Sequence, residues 1–388
     1  MTPEQPEKNL QTGEHSTNSP SRVIESFMAL CEAVSNKVGG IASGLDQIRE
    51  PVRNHMLTHG WIQQIPTYPT TDYSIAAVDG SYRLDSNFAG DLMVATATSA
   101  PGHHSSGALE DVTTSWADFR AHTVEASEVA RIQMFARELY VLKKLHHDIR
   151  IVDGTHINPL ISLIRGFRGS RQLQETTKAL LEELDIHDAI ALLAAPHSDV
   201  VSLAKADTST NIVATLRKHP DFQSMPTMVD KFLAALILEE GEMLLPQPTS
   251  TDLLEKALES SCGSTLPEFK AAESRFRDAL NPLSETIKAG RLHNTYLRPV
   301  SHITTLKMQF VASSSNPRVA FEEIGAIAGA VSRECYGPHL QEPFPQYMAD
   351  KAAKGASTAL RYLRNYISSS TAITSSPNAL LYLLGNRS

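Results

Sequence analysis

Two short apolar runs in this chain end in the same way. Ser74-Ile75-Ala76-Ala77-Val78 leads into Asp79-Gly80-Ser81, and Arg150-Ile151-Val152 leads into Asp153-Gly154-Thr155. Such runs, closed by glycine and a hydroxyl residue, predict buried strands that each end on a carboxylate. Set side by side, the strands bring Asp79 and Asp153 together, and two converging carboxylates are a natural seat for a divalent cation. Residues 91–98 predict a further, antiparallel strand after the turn-forming 87–90 segment. Residues 199–206 predict another, ending on Lys205, where an ammonium could hold a phosphate or stabilise developing negative charge.

Between these strands the pattern is helical. Residues 21–60 carry Val23, Phe27, Leu30 and Val34 at three- and four-residue spacings behind a possible Ser21 cap, which predicts an N-terminal helical arm over 21–63 suited to oligomerisation. Pro66 and Pro69 break that pattern and place the start of the sheet-bearing domain, 64–388, near residue 64. Residues 123–147 form a helix striped by Val129, Ile132, Phe135, Leu139, Leu142 and Leu145. Glu138 borders the stripe, either as a solvated flank residue or as a third carboxylate aimed at the same end of the sheet. Residues 158–164 start another helix, and 221–292 read as a helical insertion without evident chemistry, with helices over 229–245, 251–260 and 267–280. Strands at 296–300 and 304–311 and a helix at 320–333 follow. Asp350 falls in the first turn of an Ala-rich helix reaching about residue 367, a position the helix dipole favours for an acid on structural grounds alone. A short apolar segment at 380–384 closes the chain and could dock on a partner.

Composition narrows the class. At 388 residues with 41% hydrophobic and 20% charged, the chain can bury a large core, and no apolar run is long enough to span a bilayer. Residues 1–20 are polar and read as a flexible tail without a signal-peptide core. Cys31, Cys262 and Cys335 form no metal-binding pair, so a reducing cytoplasm is the expected setting. A net charge of −8 excludes coating of nucleic acid through the overall field and leaves room for a local basic patch. Arg165, Arg168 and Arg171, around Gly166, Phe167 and Gly169, compose such a patch, readable as phosphate contacts with base stacking or as a basic surface loop. The adjacent His103 and His104 lack a spaced partner and read as part of a solvated loop.

Asp79, Glu138, Asp153 and Asp350 together make an all-oxygen donor set, which suits Mg²⁺ or Mn²⁺ rather than zinc. Their order follows the ribonuclease H-like plan: an Asp on the first strand of a mixed sheet, a Glu from a helix, an Asp ending the fourth strand and a last ligand on a C-terminal helix. Val78-Asp79-Gly80-Ser81, Glu138, Val152-Asp153-Gly154-Thr155, Leu203-Ala204-Lys205 and the Phe344-Pro345 to Asp350-Lys351-Ala352 segment, in that order, resemble the NurA nuclease family over about residues 75–367. The resemblance implies a ribonuclease H-like α/β fold and a manganese-dependent DNA nuclease. It further implies a dimer working with a HerA-type hexameric ATPase in DNA end processing or repair, or in antiviral defence. Asp79, Glu138 and Asp153 would carry the metals, and Lys205 would contact the scissile phosphate. The family's Tyr and following His are replaced by Phe344 and Asp350, which leaves the Tyr role unassigned, with Tyr336 and Tyr347 as candidates. Two other readings share these residues: a non-catalytic regulatory subunit of a DNA translocase, and a nucleotide-binding protein of the actin and sugar-kinase type, whose phosphate loops normally carry a second glycine absent here.

Overall fold

A computed structural model describes residues 20–67, 73–86, 90–103, 112–196, 199–249, 256, 265–303, 305–337 and 339–369. The chain divides into two units, Met1–Val52 and Arg53–Ser388. The first contains most of α1 (Pro20–Thr58), as the spacing predicts. The boundary expected near residue 64 falls earlier. Arg53 in the last turns of α1 makes a buried, two-pronged ion pair with Glu242 at 2.6 and 2.8 Å, so these turns belong to the sheet unit.

That unit is built on one mixed sheet. Its strands are β1 (Ile62–Gln64), β2 (Ile75–Ser86), β3 (Asp91–Pro101), β4 (Thr113–Arg120), β5 (Ile149–Asp153), β6 (Val200–Ala204), β7 (Glu242–Leu244), β8 (Gln247–Pro248), β9 (Leu292–Arg298) and β10 (Leu306–Val311). They lie in the order β1-β7-β9-β10-β6-β5-β2-β3-β4, with β8 beside β9. β2, β3 and β4 form an antiparallel meander, while β5 runs parallel to β2 and β6 parallel to β5. Counted from β2, the first Asp is on the first strand and the second ends the fourth, as the ribonuclease H-like plan requires.

Side-chain alternation explains the continuous apolar runs. Ala76, Val78, Val152 and Val200 join the core on one face, whereas Ile75, Ala77, Ile149, Ile151, Val201 and Leu203 join the core on the other. The first face is covered by α2 (Ala126–Lys144), α3 (Asn158–Gly166), α4 (Arg171–Leu184), α5 (His187–Ala194) and α8 (Lys270–Lys288), each contributing buried residues to that core. The second is covered by α9 (Pro317–Arg333), which starts from an Asn316 cap with proline in its first turn, and by Ala349 of α10 (Phe344–Ala353). Two short helices, α6 (Asn211–Leu216) and α7 (Asp230–Ile237), lie between β6 and β7, and α11 (Ala356–Ser369) follows α10.

Several expectations change here. The helix predicted over 229–245 stops at Ile237, and residues 242–244 become β7, paired with β1 and β9. The 221–292 segment therefore contributes strands to the central sheet as well as helices. The expected helix over 251–260 lies outside the described residues except at Lys256, as do the tail before residue 20, His104 and the 380–384 segment. β2 does not end at Asp79: it runs on to Ser86 against β3, so Asp79 sits mid-strand, where the parallel pairing with β5 stops at Val78. The Ala-rich helix is broken near Gly355 into α10 and α11, and because α10 already begins at Phe344, Asp350 falls in its second turn, beyond the reach of a helix N-terminus.

Candidate active site

The register sets the site. Val78 lies opposite Val152, so Asp79 and Asp153 leave neighbouring parallel strands about 4.8 Å apart at the backbone. Asp153 is opposite Leu203 of β6, and Lys205 follows two residues later, returning its ammonium toward the pair. Gly154, at φ +97°, turns the chain out of β5 and donates its N–H to Leu203 O at 3.0 Å.

Lys205 Nζ lies among carboxylates: 3.8 Å from Asp79, 3.6 Å from Asp153, 3.5 Å from Asp350 and 3.1 Å from Glu342. Glu342 was not among the residues singled out by pattern. It is an isolated acid in a loop before α10, and no periodicity marks it. Gln346, also unmarked, donates to Asp153 Oδ1 at 2.6 Å and to Leu203 O at 3.3 Å, tying α10 to the strand ends. Lys231, from the segment read as lacking chemistry, donates to the carbonyls of Lys205 at 2.8 Å and Ala204 at 3.2 Å, which fixes the backbone from which Lys205 projects.

Glu138 resolves to the buried reading. It is 4% exposed, and its Oε2 has no hydrogen-bond partner among the described residues. α2 presses directly on β2 at Gly80: a Cβ there would fall 2.4 Å from Glu138 Oε1 and 2.7 Å from Met134 Cγ. Only glycine permits that approach.

Burial and mutual repulsion shape the charges. Burial, then the charge on Asp153, pushes the Asp79 carboxyl up to about 8, against the opposing pull of Lys205 and the Gly80 N–H. Glu138 is raised well above its ordinary value by burial, then by Asp79 and Asp153. Asp153 and Glu342 are raised as well, chiefly by burial. Asp350 goes the other way: burial opposes its ionisation, but a 2.6 Å hydrogen bond from Lys354 and the charge on Lys205 hold it below the usual range. Lys205 is held charged; burial works against this, and Asp153, Asp79 and Glu342 outweigh it.

These residues fit a divalent cation in donor chemistry: all oxygen, crowded with negative charge, with an orphaned buried carboxylate oxygen on Glu138. Among the described residues no three His, Cys, Asp or Glu side chains are poised to ligate one ion as they stand. The ammonium of Lys205 occupies the space between them. A cleft of about 330 Å³ opens beside it, lined by Lys205, Lys231, Thr305, Glu342 and Asp350.

The arginine patch lies elsewhere. Arg165 ends α3 and Arg171 begins α4; both are exposed, with Arg171 paired to Glu175 and Glu268, and Arg168 is half-buried in the turn between. Phe167 is 1% exposed and packs near Phe276, so the expected base stacking on this residue is excluded. Tyr336 stacks on Phe344 at 5.4 Å between centroids, and Tyr347 carries Lys351 over its ring at 5.2 Å. Among the described residues no helix is long and apolar enough to cross a membrane.

No family model matches the chain, and no curated protein matches its sequence. Its fold, however, is that of solved NurA structures. The NurA nuclease from Sulfolobus solfataricus superposes with a TM-score of 0.56 at 14% identity, covering 88% of this chain and 96% of that one. A second structure described as NurA gives 0.50 at 14% identity, covering 90% and 99%. The chain thus has the NurA fold over nearly its whole length, as the sequence resemblance implied.

Proposed function

We propose that this protein is a metal-dependent DNA nuclease that hydrolyses phosphodiester bonds, with Asp79, Glu138, Asp153 and Asp350 as ligands of Mn²⁺ or Mg²⁺. One observation carries this reading: on a fold shared with nucleases, Asp79, Asp153 and Asp350 gather around a single ammonium, with Glu138 buried against Gly80 beside Asp79. When bound, the ion supplies Lewis acidity, stabilising charge on phosphoryl oxygens and making water more acidic; a pair of ions would serve both the attacking and the leaving oxygen. Asp79, where the parallel pairing of β2 with β5 stops, and Asp153, at the end of β5, hold that charge, and Gln346 fixes the orientation of Asp153. Glu138, brought down by α2 onto Gly80, supplies a buried oxygen that no group among the described residues satisfies. Lys205 offers its ammonium to the scissile phosphate from the cleft side, its backbone held by Lys231.

Arg165, Arg168 and Arg171 would hold DNA away from the chemistry. Ser170, within that turn, donates its N–H to Glu125, which caps α2 some 20 Å along the helix axis from Glu138. That offset corresponds to about six base-pair steps of duplex. The NurA resemblance supports a dimer acting with a HerA-type hexameric ATPase in DNA end processing or antiviral defence. The exposed stripe of Ile24, Phe27, Leu30 and Val34 on α1 supports association through the arm.

The test is cleavage of end-labelled single- and double-stranded DNA in Mn²⁺, Mg²⁺ or EDTA, with and without a HerA-type ATPase. Cleavage that requires the metal is expected. Folded protein that cuts nothing with metal and ATPase present would refute the proposal.

A further inference from the structure

We infer that Glu342 is a positioning residue for Lys205: the seat that keeps the ammonium at the site when a divalent cation displaces it from Asp79 and Asp153. The inference rests on the metal reading proposed above. An ammonium now stands between the two aspartates, and a divalent cation cannot take that place while it remains, because like charges within about 4 Å repel strongly at any protein dielectric. Lys205 is free to move: its side chain is 43% exposed on a flexible four-carbon stem, whereas Lys231 anchors its carbonyl.

Among its neighbours Glu342 is the closest, at 3.1 Å, and it lines the cleft together with Lys205 while Asp79 and Asp153 do not. Asp350 also faces the cleft, but Lys354 already neutralises it at 2.6 Å. The buried Oε2 of Glu342 makes no hydrogen bond among the described residues beyond its approach to Lys205. A short swing about the terminal bonds of the lysine keeps the Glu342 contact and releases the aspartates. The ammonium then faces the cleft, where a phosphate would enter.

The test is Mn²⁺ binding without DNA, by calorimetry or by the electron-spin signal of free Mn²⁺, for wild type, Glu342→Gln, Lys205→Met and the double variant. Circular dichroism checks each fold, and Lys205→Gln replaces the methionine variant should that one not fold. Lys205→Met is expected to bind Mn²⁺ about tenfold tighter or more, having lost the competing charge. Glu342→Gln is expected to bind about three- to tenfold more weakly in the wild-type background, and to change affinity by less than about twofold in Lys205→Met. Equal loss in both backgrounds would make Glu342 a direct ligand or a simple field effect, and no loss in either would leave it without a role; both overturn the inference while the nuclease reading stands. Absence of Mn²⁺ binding by every protein, wild type included, would remove the metal reading and this inference with it.

Discussion

His156 shows how one buried side chain records its surroundings. It is fully buried, with Nδ1 2.7 Å from Ser202 Oγ and Nε2 without a partner among the described residues, and burial lowers its pKa to about 3. The unfolded chain takes up this proton near pH 6.5 and the folded chain does not. The stability it contributes is therefore complete above pH 6.5 and declines as pH falls toward about 3, with a slope approaching about 1.4 kcal/mol per pH unit. Urea unfolding of wild type and His156→Gln between pH 7 and 5 should differ in slope by about that amount, the raised carboxylates of the site contributing equally to both; equal slopes would place the titration elsewhere. At this scale the sequence exposed Asp79, Asp153 and Lys205, because each closes an apolar run and the run itself is conspicuous. Glu342 and Gln346 stayed hidden, since a loop acid and a helix-start amide look the same whether they face solvent or a lysine 137 positions earlier. Phe167 misled for the same reason: a Phe between arginines does not reveal that its ring packs inward.

Between elements the decisive contact is α2 on β2. Gly80 leaves no room for a side chain, and the space it vacates holds Glu138 and Met134. Gly80→Ala should push α2 outward and weaken Mn²⁺ binding by about tenfold or more with the fold retained, since a β-carbon within 3 Å of two α2 side chains forces displacement. Calorimetry with a circular dichroism control checks this, and unchanged Mn²⁺ affinity would contradict the assigned position of Glu138. The strands β2, β5, β6, β9 and β10 and the helices α2 and α9 were legible, because burial on both faces or along one stripe writes a strong pattern. Short elements were not. β7 is a three-residue strand inside an apolar stretch whose spacing also suits a helix, and only its pairing with β1 and β9 decides between them. β4, half-exposed at the sheet edge with Thr, Ser and Asp among its residues, carries alternation too polar to stand out.

For the whole molecule, the arm and the sheet unit divide the work. α1 displays Phe27 at 67% and Leu30 at 59% exposure, an apolar stripe that a lone helix in water would not favour. Phe27→Asp combined with Leu30→Asp should shift the mass measured by light scattering from dimer to monomer and leave the unfolding temperature of the sheet unit within about 2 °C; an unchanged mass would remove the arm from the interface. With a net charge of −8, the proposed nuclease would need local basic groups and a bound cation to bring DNA to the carboxylates. In the proposed nuclease, Asp79 and Asp153 serve chemistry rather than architecture. Single-turnover cleavage of end-labelled DNA with Mn²⁺, by wild type, Asp79→Asn and Asp153→Asn, tests it most directly when DNA binding is measured on the same samples. Cleavage is expected to fall about a thousandfold or more in folded variants that bind DNA as well as wild type or better, because each change removes a metal ligand and a repulsion toward phosphate. Folded variants that cleave at the wild-type rate would contradict it and return these aspartates to structure.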